Sequence, residues 1–211
     1  MTPERTAKFE RVVRARQVNL CVILENVHDP HNLGAVLRSC DAIGVNEVYI
    51  LYTDPHLKPE DLTVRKTTST GARKWVDVYL FEDAKACFDL VKKKYDKVYS
   101  THLAKDAVSL YDMDLTESIA LMFGNERDGL SEEALSYSDG NFIIPMKGMV
   151  GSLNISVACA VTLYEALRQR DLKGCYDTNP TSTEQQRNEL MAEFEDRHEK
   201  RYKGNRFINE E

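Results

Sequence analysis

Residues 20–44 read LCVILENVHDPHNLGAVLRSCDAIG, a stretch that combines one apolar run, one turn and one amphipathic segment. The apolar run at 20–24 is typical of a strand that is buried on both faces of a parallel sheet. A helix is predicted over 32–43, because apolar residues recur there at helical spacing, and Gly44 marks its end. A buried strand followed directly by such a helix indicates the repeating unit of an α/β domain.

The same alternation of strands and helices continues to about residue 170. Further strands are predicted at 47–51, 76–80, 97–100, 118–123 and 141–144, and further helices at 82–94, 131–136 and 154–170. The chain is therefore predicted to form an α/β domain with a mostly parallel sheet and helices on both faces. In such a domain the carboxyl ends of the strands are the place where a ligand site is built.

A short basic helical extension is predicted before the domain, over residues 1–17. An N-cap and a first-turn proline are present at 2–3, and the helix is expected to reach Arg16. The whole chain has a net charge of −6, yet basic residues are concentrated at 5–16 and again at 65–74. Each basic run is either a solvated helix face or a local patch that binds phosphate.

The composition changes after the domain, which is predicted to span 18–172 and to be followed by a linker and a charged tail over 173–211. Thr183 with Gln186 resembles a capping box, so a charged helix is predicted over 184–202. Its few apolar anchors are Phe194, Tyr202 and Phe207. This helix is therefore expected to pack on a neighbouring element or on a partner, or to fray.

Composition restricts the class of protein. With 42% hydrophobic and 29% charged residues among 211, the chain has the proportions of a globular protein. It has no apolar run near the roughly 20 residues that a membrane span needs, and no leader typical of secretion. The five cysteines form no C-x-x-C pair, which favours a reducing compartment and argues against a zinc site. A cytoplasmic protein is therefore expected.

Two later segments each join a predicted strand to a polar turn, and they read LMFGNERDGL at 121–130 and IIPMKGMVGSLNISVA at 143–158. The first strand is not followed by G-x-G-x-x-G, and the chain lacks G-x-x-x-x-G-K-[ST], so an ordinary nucleotide site is not expected. Gly124 would still let the backbone approach a ligand. Two adjacent strand ends would form a narrow apolar slot that suits an adenine ring. The alternative is a pair of ordinary strand-to-helix turns.

Two charged residues in these segments have both a functional and a purely structural interpretation. Arg38 follows Asn32 on an otherwise apolar helix face, where it could act on a ligand or simply pair with Asp41 or Glu47. Glu126 could likewise serve a site, or it could pair with the arginine that follows it or cap the following turn. The sequence alone leaves these alternatives open.

The uncharged candidates have similar alternatives. Asn154 could contact a ligand, but it is also placed to cap the helix that it precedes. Ser152 lacks the G-x-S-x-G turn of a nucleophilic hydrolase and has no obvious His–Asp relay near it. His28 and His31 flank one turn without further metal ligands, so a metal site is not expected.

Taken together, the three segments resemble the SpoU, or TrmH, branch of the SPOUT RNA methyltransferases. That branch has an N-x-x-x-x-x-R element, a strand followed by G-N/S-E-x-x-G-L, and an I-P-M-x-G…S-L-N-x-S-x-A element. This chain contains all three in that order, and the resemblance covers about residues 18–170. It implies a C-terminal trefoil knot, S-adenosylmethionine as the cofactor and an obligate homodimer, with no metal and no membrane partner.

The resemblance also implies roles for individual residues. Arg38 would act on a ribose 2′-hydroxyl as a base or as a stabiliser of negative charge, and Asn32 would hold Arg38 or the ribose. Glu126, Ser152 and Asn154 would position the substrate or its loop. The cofactor is expected to lie against Thr101, Gly124, Ile144, Met146 and Leu153. One departure from the pattern is Gly151, where a larger polar residue is expected in many relatives.

The activity that the resemblance implies is transfer of a methyl group from S-adenosylmethionine to a ribose 2′-oxygen of RNA. Residues 27–34 favour the members of the branch that modify guanosine 18 in the D-loop of tRNA. The basic extension, the loop at 65–74 and the terminal helix would then contact tRNA phosphates. Two alternatives stay open, a ribosomal RNA substrate and a non-catalytic RNA-binding protein with the same fold.

Overall fold

The computed structural model describes residues 1–57, 71–104, 106–125, 127–200 and 207–208. The strands are β1 (Gln17–Glu25), β2 (Val45–Leu51), β3 (Asp77–Phe81), β4 (Lys97–Thr101), β5 (Val108–Ser109), β6 (Ile119–Phe123), β7 (Gly140–Ile143) and β8 (Phe207–Ile208). The helices are α1 (Pro3–Arg14), α2 (Pro30–Ile43), α3 (Ala84–Lys94), α4 (Glu132–Leu135), α5 (Ile155–Leu172) and α6 (Glu184–Glu199). No helix within the described ranges has the length and apolar character needed to cross a membrane. The basic residues predicted at 65–70, together with Glu126 and Tyr202, lie outside the described residues.

The described strands form one parallel sheet in the order β5-β7-β4-β6-β1-β2-β3-β8. Near its centre, Ile23 of β1 is paired with Tyr49 of β2 on one side and with Met122 of β6 on the other. The predicted α/β class with a mostly parallel sheet is therefore confirmed. The sequence does not predict β5 and β8, because two residues are too few to show a period. The C-terminal knot stays a prediction.

Helices cover both faces of the sheet, as predicted. Leu20, Val22 and Leu24 of β1 point to one face and form a buried cluster with residues of α2 and α5. Cys21 and Ile23 point to the other face, where α3 and α4 cover the sheet. A strand that is buried on both sides carries apolar side chains at successive positions, which explains the uninterrupted run at the start of the domain.

Local interactions set the two ends of α2. Asp29 is the N-cap, and its side chain accepts a hydrogen bond from the His31 N–H at 2.8 Å, so the helix begins slightly earlier than predicted. Gly44 ends the helix as predicted, with a φ of 89°. A Cβ atom there would lie 2.5 Å from the carbonyl oxygen of Ala15. Glycine is therefore required both by the left-handed backbone and by the close approach of the preceding segment.

The two terminal helices pack against each other beside the sheet. Phe9 of α1 and Phe194 of α6 meet edge-to-face with ring centroids 5.8 Å apart, and Trp75 contacts both rings. The capping box predicted at Thr183 and Gln186 is present, although α6 is slightly shorter than predicted. The terminal helix thus has its neighbour within the chain.

Arg16 differs from its predicted surroundings. The sequence places it in a basic helix, whereas α1 ends at Arg14 and the side chain of Arg16 is fully buried. Its guanidinium donates to Asp41 at 2.7 Å and to the carbonyl oxygens of Val45 and Trp75 at 3.0 and 3.1 Å. Burial lowers the pKa of Arg16, and the carboxylate of Asp41 opposes that shift. Arg16 joins the end of α1 to the domain and is not available to bind phosphate.

A second buried arginine anchors the C-terminal end of α5. Arg170 donates to the carbonyl oxygens of Leu115 and Glu117 at 2.8 and 2.6 Å, and to the side chains of Gln17 and Asn19 at 3.0 and 2.6 Å. Burial lowers the pKa of Arg170 by removing its charged form from water. The acceptors belong to β1 and to the segment before β6, so one side chain joins three parts of the domain.

Replacing Arg170 with methionine should lower the free energy of unfolding by at least about 3 kcal/mol, since each buried acceptor left unpaired costs about 1–3 kcal/mol. Urea unfolding followed by circular dichroism measures this change. The control is Arg168→Ala on the same helix, because Arg168 is 60% exposed and its one ion pair with a described residue is with Glu165 across one turn. That control should lose less than about 1 kcal/mol. Equal losses in the two variants would contradict the anchoring role of Arg170.

Candidate functional site

A cavity of about 360 Å³ opens at the edge of the sheet where β4, β6 and β7 end. Its wall consists of the segments that follow these strands and of the first turns of α5. The lining residues are Thr101, His102, Leu103, Gly124, Asn125, Gly129, Leu130, Phe142, Ile143, Ile144, Met146, Gly151, Ser152, Leu153, Ile155 and Ala158. Most of these side chains are apolar, and the volume falls in the range of sites for small molecules.

All five residues predicted to contact a cofactor line this one cavity. They are Thr101, Gly124, Ile144, Met146 and Leu153. They come from three loops that are far apart in the sequence, and the parallel strands bring those loops to the same edge. The hydroxyl of Thr101 donates to the backbone carbonyl of Met122 at 3.3 Å, which ties the end of β4 to its neighbour β6.

Gly124 is required by the turn that follows it. A Cβ atom at this position would lie 2.2 Å from the carbonyl group of Gly129. Asn125 closes the same turn, because its Oδ1 accepts from two backbone N–H groups at 2.9 and 2.8 Å and its carbonyl accepts from the Gly129 N–H at 3.1 Å. The sequence suggests that this glycine makes room for a ligand. The structure shows that the returning backbone of Gly129 already occupies that space.

Asn154 has the structural role that the sequence allowed and also a second contact. Its Oδ1 caps α5 by accepting from the Ser156 N–H at 2.9 Å. Its Nδ2 donates to Oδ1 of Asn32 at 3.1 Å. The pair joins the N-terminal ends of α2 and α5, which pack together on one face of the sheet. Since both neighbours of Asn154 in the chain line the cavity, the asparagine pair lies at its rim.

Arg38 does not line the cavity and is exposed on the outer side of α2. This corrects the prediction that it lies on the apolar face, which is formed by Leu33, Val36, Leu37 and Cys40. Asp41 pairs with Arg16 at 2.7 Å and Glu47 pairs with Lys94 at 3.0 Å, so the two proposed partners are engaged elsewhere. None of the described residues forms a hydrogen bond or an ion pair with Arg38. Its guanidinium is therefore accessible to a molecule that binds from outside.

The remaining candidates are placed differently. Ser152 is exposed and lines the cavity, together with Gly151 before it. Glu126 lies outside the described residues, so its role stays a prediction. His28 and His31 are exposed on the turn that leads into α2. Within the described part of the chain, no three His, Cys, Asp or Glu side chains are grouped so that they could hold a metal ion.

Some lining residues were not predicted from the sequence. They include His102, Leu103, Asn125, Phe142 and Ala158. His102 and Leu103 directly follow β4, and Asn125 lies just beyond β6. Their position after a parallel strand is the signal that could have identified them, because such residues lie at the ligand edge of the sheet. Ala158 depends on the direction in which α5 leaves the site, and no sequence pattern gives that direction.

A comparison with known protein families identifies the family to which this domain belongs. The family described as SpoU rRNA methylase matches residues 19–164, a range that includes most of β1, the cavity and the first half of α5. The chain belongs to the SpoU rRNA methylase family. The resemblance seen in the three sequence segments is thereby confirmed.

Several relatives of this SpoU protein are named tRNA (guanosine(18)-2′-O)-methyltransferase. A protein of that name from Thermus thermophilus is 45% identical over 176 residues, which are 83% of this chain and 88% of the relative. The Escherichia coli K12 protein is 36% identical over 176 residues, 83% of this chain and 75% of the relative. The Aquifex aeolicus protein is 32% identical over 191 residues, 90% of this chain and 88% of the relative.

Solved structures of SpoU proteins share the fold. The A. aeolicus TrmH/SpoU tRNA modifying enzyme superimposes with a TM-score of 0.79 at 31% identity, over 95% of this chain and 98% of that one. The SpoU methyltransferase AviRb from Streptomyces viridochromogenes, in complex with the cofactor AdoMet, gives a TM-score of 0.61 at 28% identity. That match covers 74% of this chain and 62% of AviRb.

Replacing Gly124 with alanine should lower the free energy of unfolding by about 2 kcal/mol, because the added methyl group would overlap the backbone of Gly129. The matched control is Gly151→Ala in the wall of the same cavity, where a Cβ atom meets nothing within 4 Å. That control should change stability by less than about 0.5 kcal/mol. Thermal unfolding of both variants measures the difference. Equal stability of the two would mean that the turn adjusts to a side chain at Gly124.

Proposed function

We propose that this protein transfers a methyl group from S-adenosylmethionine to a ribose 2′-oxygen of RNA, and that its substrate is guanosine 18 in the D-loop of tRNA. The observation that carries the proposal is the convergence of five motif residues on one apolar cavity, beside the Asn32–Asn154 pair. The relatives named for this activity support the choice of substrate.

The cavity suits S-adenosylmethionine in size and in chemistry. Phe142, Ile144 and Leu153, together with the backbone at Gly124, make a narrow apolar slot of the kind that holds an adenine ring. The hydroxyl of Ser152 and the backbone groups of the three loops would contact the polar parts of the cofactor. When bound, S-adenosylmethionine supplies an activated methyl group on a sulfonium.

Arg38 would stabilise the negative charge that develops on the ribose oxygen. A guanidinium stays protonated at neutral pH, so it is a poor base and an effective electrostatic stabiliser. As the bond from the ribose oxygen to the methyl group forms, the bond from sulfur to methyl would break and leave neutral S-adenosylhomocysteine, and the hydroxyl proton would pass to solvent water. Asn32, held by Asn154, would orient the ribose, and Ser152 would contact the substrate at the mouth of the cavity. The residues given these roles are the same ones that carry the three sequence motifs.

A homodimer would bring Arg38 and a cavity together. Large apolar side chains are exposed in the segment before α5 and along its outer side, namely Met149, Val150, Val157 and Tyr164. A contiguous exposed apolar patch marks a surface that another molecule covers. Because α2 packs beside α5, a second copy on this patch would also cover the surface that presents Arg38.

The basic side of α1 is the proposed surface for tRNA phosphates. Lys8, Arg11 and Arg14 are exposed there. Burial lowers the pKa of Lys74, and the nearby charge of Arg5 lowers it further, so like charges from two segments lie close together. Such a concentration of positive charge attracts phosphates even on a protein with a net negative charge, and RNA affinity should fall as salt increases.

Ribosomal RNA is the second candidate substrate. The 23S rRNA (guanosine-2′-O-)-methyltransferase RlmB of Xanthomonas campestris is 42% identical over 167 residues, 77% of this chain and 64% of RlmB. A match of this strength means that the shared domain serves both classes of RNA within the family. The choice between them therefore requires a direct assay.

The assay incubates the purified protein with labelled S-adenosylmethionine and either unmodified tRNA or 23S rRNA fragments, and maps the product nucleoside. A label confined to 2′-O-methylguanosine at tRNA position 18 supports the proposal. A label confined to rRNA would favour the second candidate. If neither RNA is labelled and calorimetry detects no binding of S-adenosylhomocysteine, the protein is a non-catalytic RNA-binding member of the family.

Arg38→Ala should lower kcat in this assay by about 100-fold, the usual effect of removing one group that stabilises a developing oxyanion. The affinity for S-adenosylhomocysteine should stay unchanged, because Arg38 does not line the cavity. Lys85→Ala is the control, since Lys85 is an exposed cation on α3 whose one ion pair within the described part of the chain is with Asp89 on the same helix. A near-normal kcat for Arg38→Ala would refute the role given to this arginine.

Tyr164→Glu should convert the protein from a dimer to a monomer, because a buried unpaired carboxylate would destabilise the interface. Tyr164 is 54% exposed in the single chain, so the substitution should leave the fold of the monomer intact. Light scattering over a series of protein concentrations measures the mass, and circular dichroism checks the fold. A parent protein that is an active monomer would exclude the proposed dimer.

A further inference from the structure

One carboxylate at the ligand edge of the sheet is buried and has no part in the mechanism above. Glu25 is the last residue of β1, and its side chain is completely inaccessible to solvent. It lies between the turn that follows β2 and the segment that follows β6. A buried carboxylate is costly unless hydrogen bonds compensate for the lost water, so its surroundings indicate its function.

Among the described residues, three groups donate a hydrogen bond to Glu25. The Cys87 thiol is also near: burial raises its pKa, and the charges of Asp83 and Glu25 raise it further. Oε2 accepts from the backbone N–H of Ser131 at 2.8 Å. Oε1 accepts from the Ser131 hydroxyl at 2.5 Å and from the Thr53 hydroxyl at 2.8 Å. The same two hydroxyls also accept, from the Ala134 N–H at 3.1 Å and from the Asn26 side-chain amide at 2.9 Å, so both residues belong to one hydrogen-bond network. Glu25 therefore accepts from three donors that belong to two separate segments of the chain.

Asn26 extends this network to the neighbouring strand. Its Oδ1 accepts from the backbone N–H groups of Thr53 and Asp54 at 3.0 and 3.1 Å, and its own φ is 55°. Glu25 thus fixes the segment after β6, while Asn26 fixes the segment after β2. Both residues precede the short turn that leads into α2, which carries Asn32 and Arg38.

We propose that Glu25 is a positioning residue. It holds the part of the cavity wall formed by Gly129 and Leu130 in a fixed position relative to β1 and α2. Ser131, its main partner, directly follows these two lining residues. Their backbone in turn packs against Gly124, which also lines the cavity. The inference rests on the proposed function, in that the molecule in this cavity is S-adenosylmethionine.

The test is Glu25→Gln, which keeps the size of the side chain but places an N–H₂ group against donors. Hydrogen exchange should show faster exchange of the Gly129 amide, with unchanged protection in the centre of β2. Calorimetry should show S-adenosylhomocysteine binding weakened by about tenfold, the effect of one hydrogen bond lost from a buried acceptor. The KM for S-adenosylmethionine should rise more than kcat falls, because no group that touches the ribose is altered.

Asp77→Asn is the matched control, since Asp77 is also a buried carboxylate but accepts from Arg197 of α6, away from the cavity. It should lower stability and leave the affinity for S-adenosylhomocysteine within about twofold. In a double-mutant cycle, Glu25→Gln should weaken ligand binding less in a Ser131→Ala background than in the parent protein. The Ser131 hydroxyl, one of the donors that would face the new N–H₂ group, is absent there.

Two results would overturn the role of Glu25. One is a Glu25→Gln protein whose Gly129 amide exchanges as slowly as in the parent protein. The other is a ligand affinity equal to that of the parent despite a lower unfolding midpoint, which would make Glu25 a residue of general stability. If the parent protein binds no S-adenosylhomocysteine, the proposed function fails, and the hydrogen-exchange result still decides whether Glu25 positions the cavity wall.

Discussion

The parallel pairing of β1 with both β2 and β6 is the constraint on which the site depends. Each parallel strand must be reached by a crossover, so all carboxyl ends face one edge and the helices that follow begin there. The turns after β4, β6 and β7 therefore meet, although they are far apart in the sequence. The first turns of α2 and α5 meet for the same reason, which allows Asn32 and Asn154 to bond. The cavity is thus a consequence of strand direction.

The turns at this edge are held by their own polar groups before any ligand arrives. The side-chain oxygen of Asn125 accepts hydrogen bonds from backbone N–H groups of its own turn. The side-chain oxygen of Asn154 accepts from a backbone N–H in the first turn of α5 and so caps that helix. Gly124 is needed because the chain returns across it. A motif residue can therefore be indispensable without contacting the reacting atoms. For these three positions, a loss of activity on substitution reports the shape of the site as much as its chemistry.

The sequence predicts secondary structure correctly in those parts of the protein where the pattern of apolar residues is long enough to distinguish a strand from a helix. The run at 20–24 and the helix after it have a clear period, and both form as predicted. The sequence does not show that Arg16 and Glu25 are buried, because their burial depends on partners that come from other strands and turns. Arg38 was placed on the apolar face from its neighbours, although rotation by about 100° per residue turns it outward. The motif residues of the cavity were identified through family resemblance, which carries tertiary information that periodicity lacks.

Three arginines show how surroundings decide what a guanidinium can do. Arg16 and Arg170 are buried and donate to oxygens of the protein, so they fasten elements together and have little left for a substrate. Arg38 is exposed, and no described residue accepts from it, so its five N–H donors and its charge are available to an anionic ligand. Arg38 is nevertheless not among the residues that line the cavity of its own chain. In the proposed mechanism, either the RNA or a second copy would therefore have to bring the guanidinium to the methyl donor.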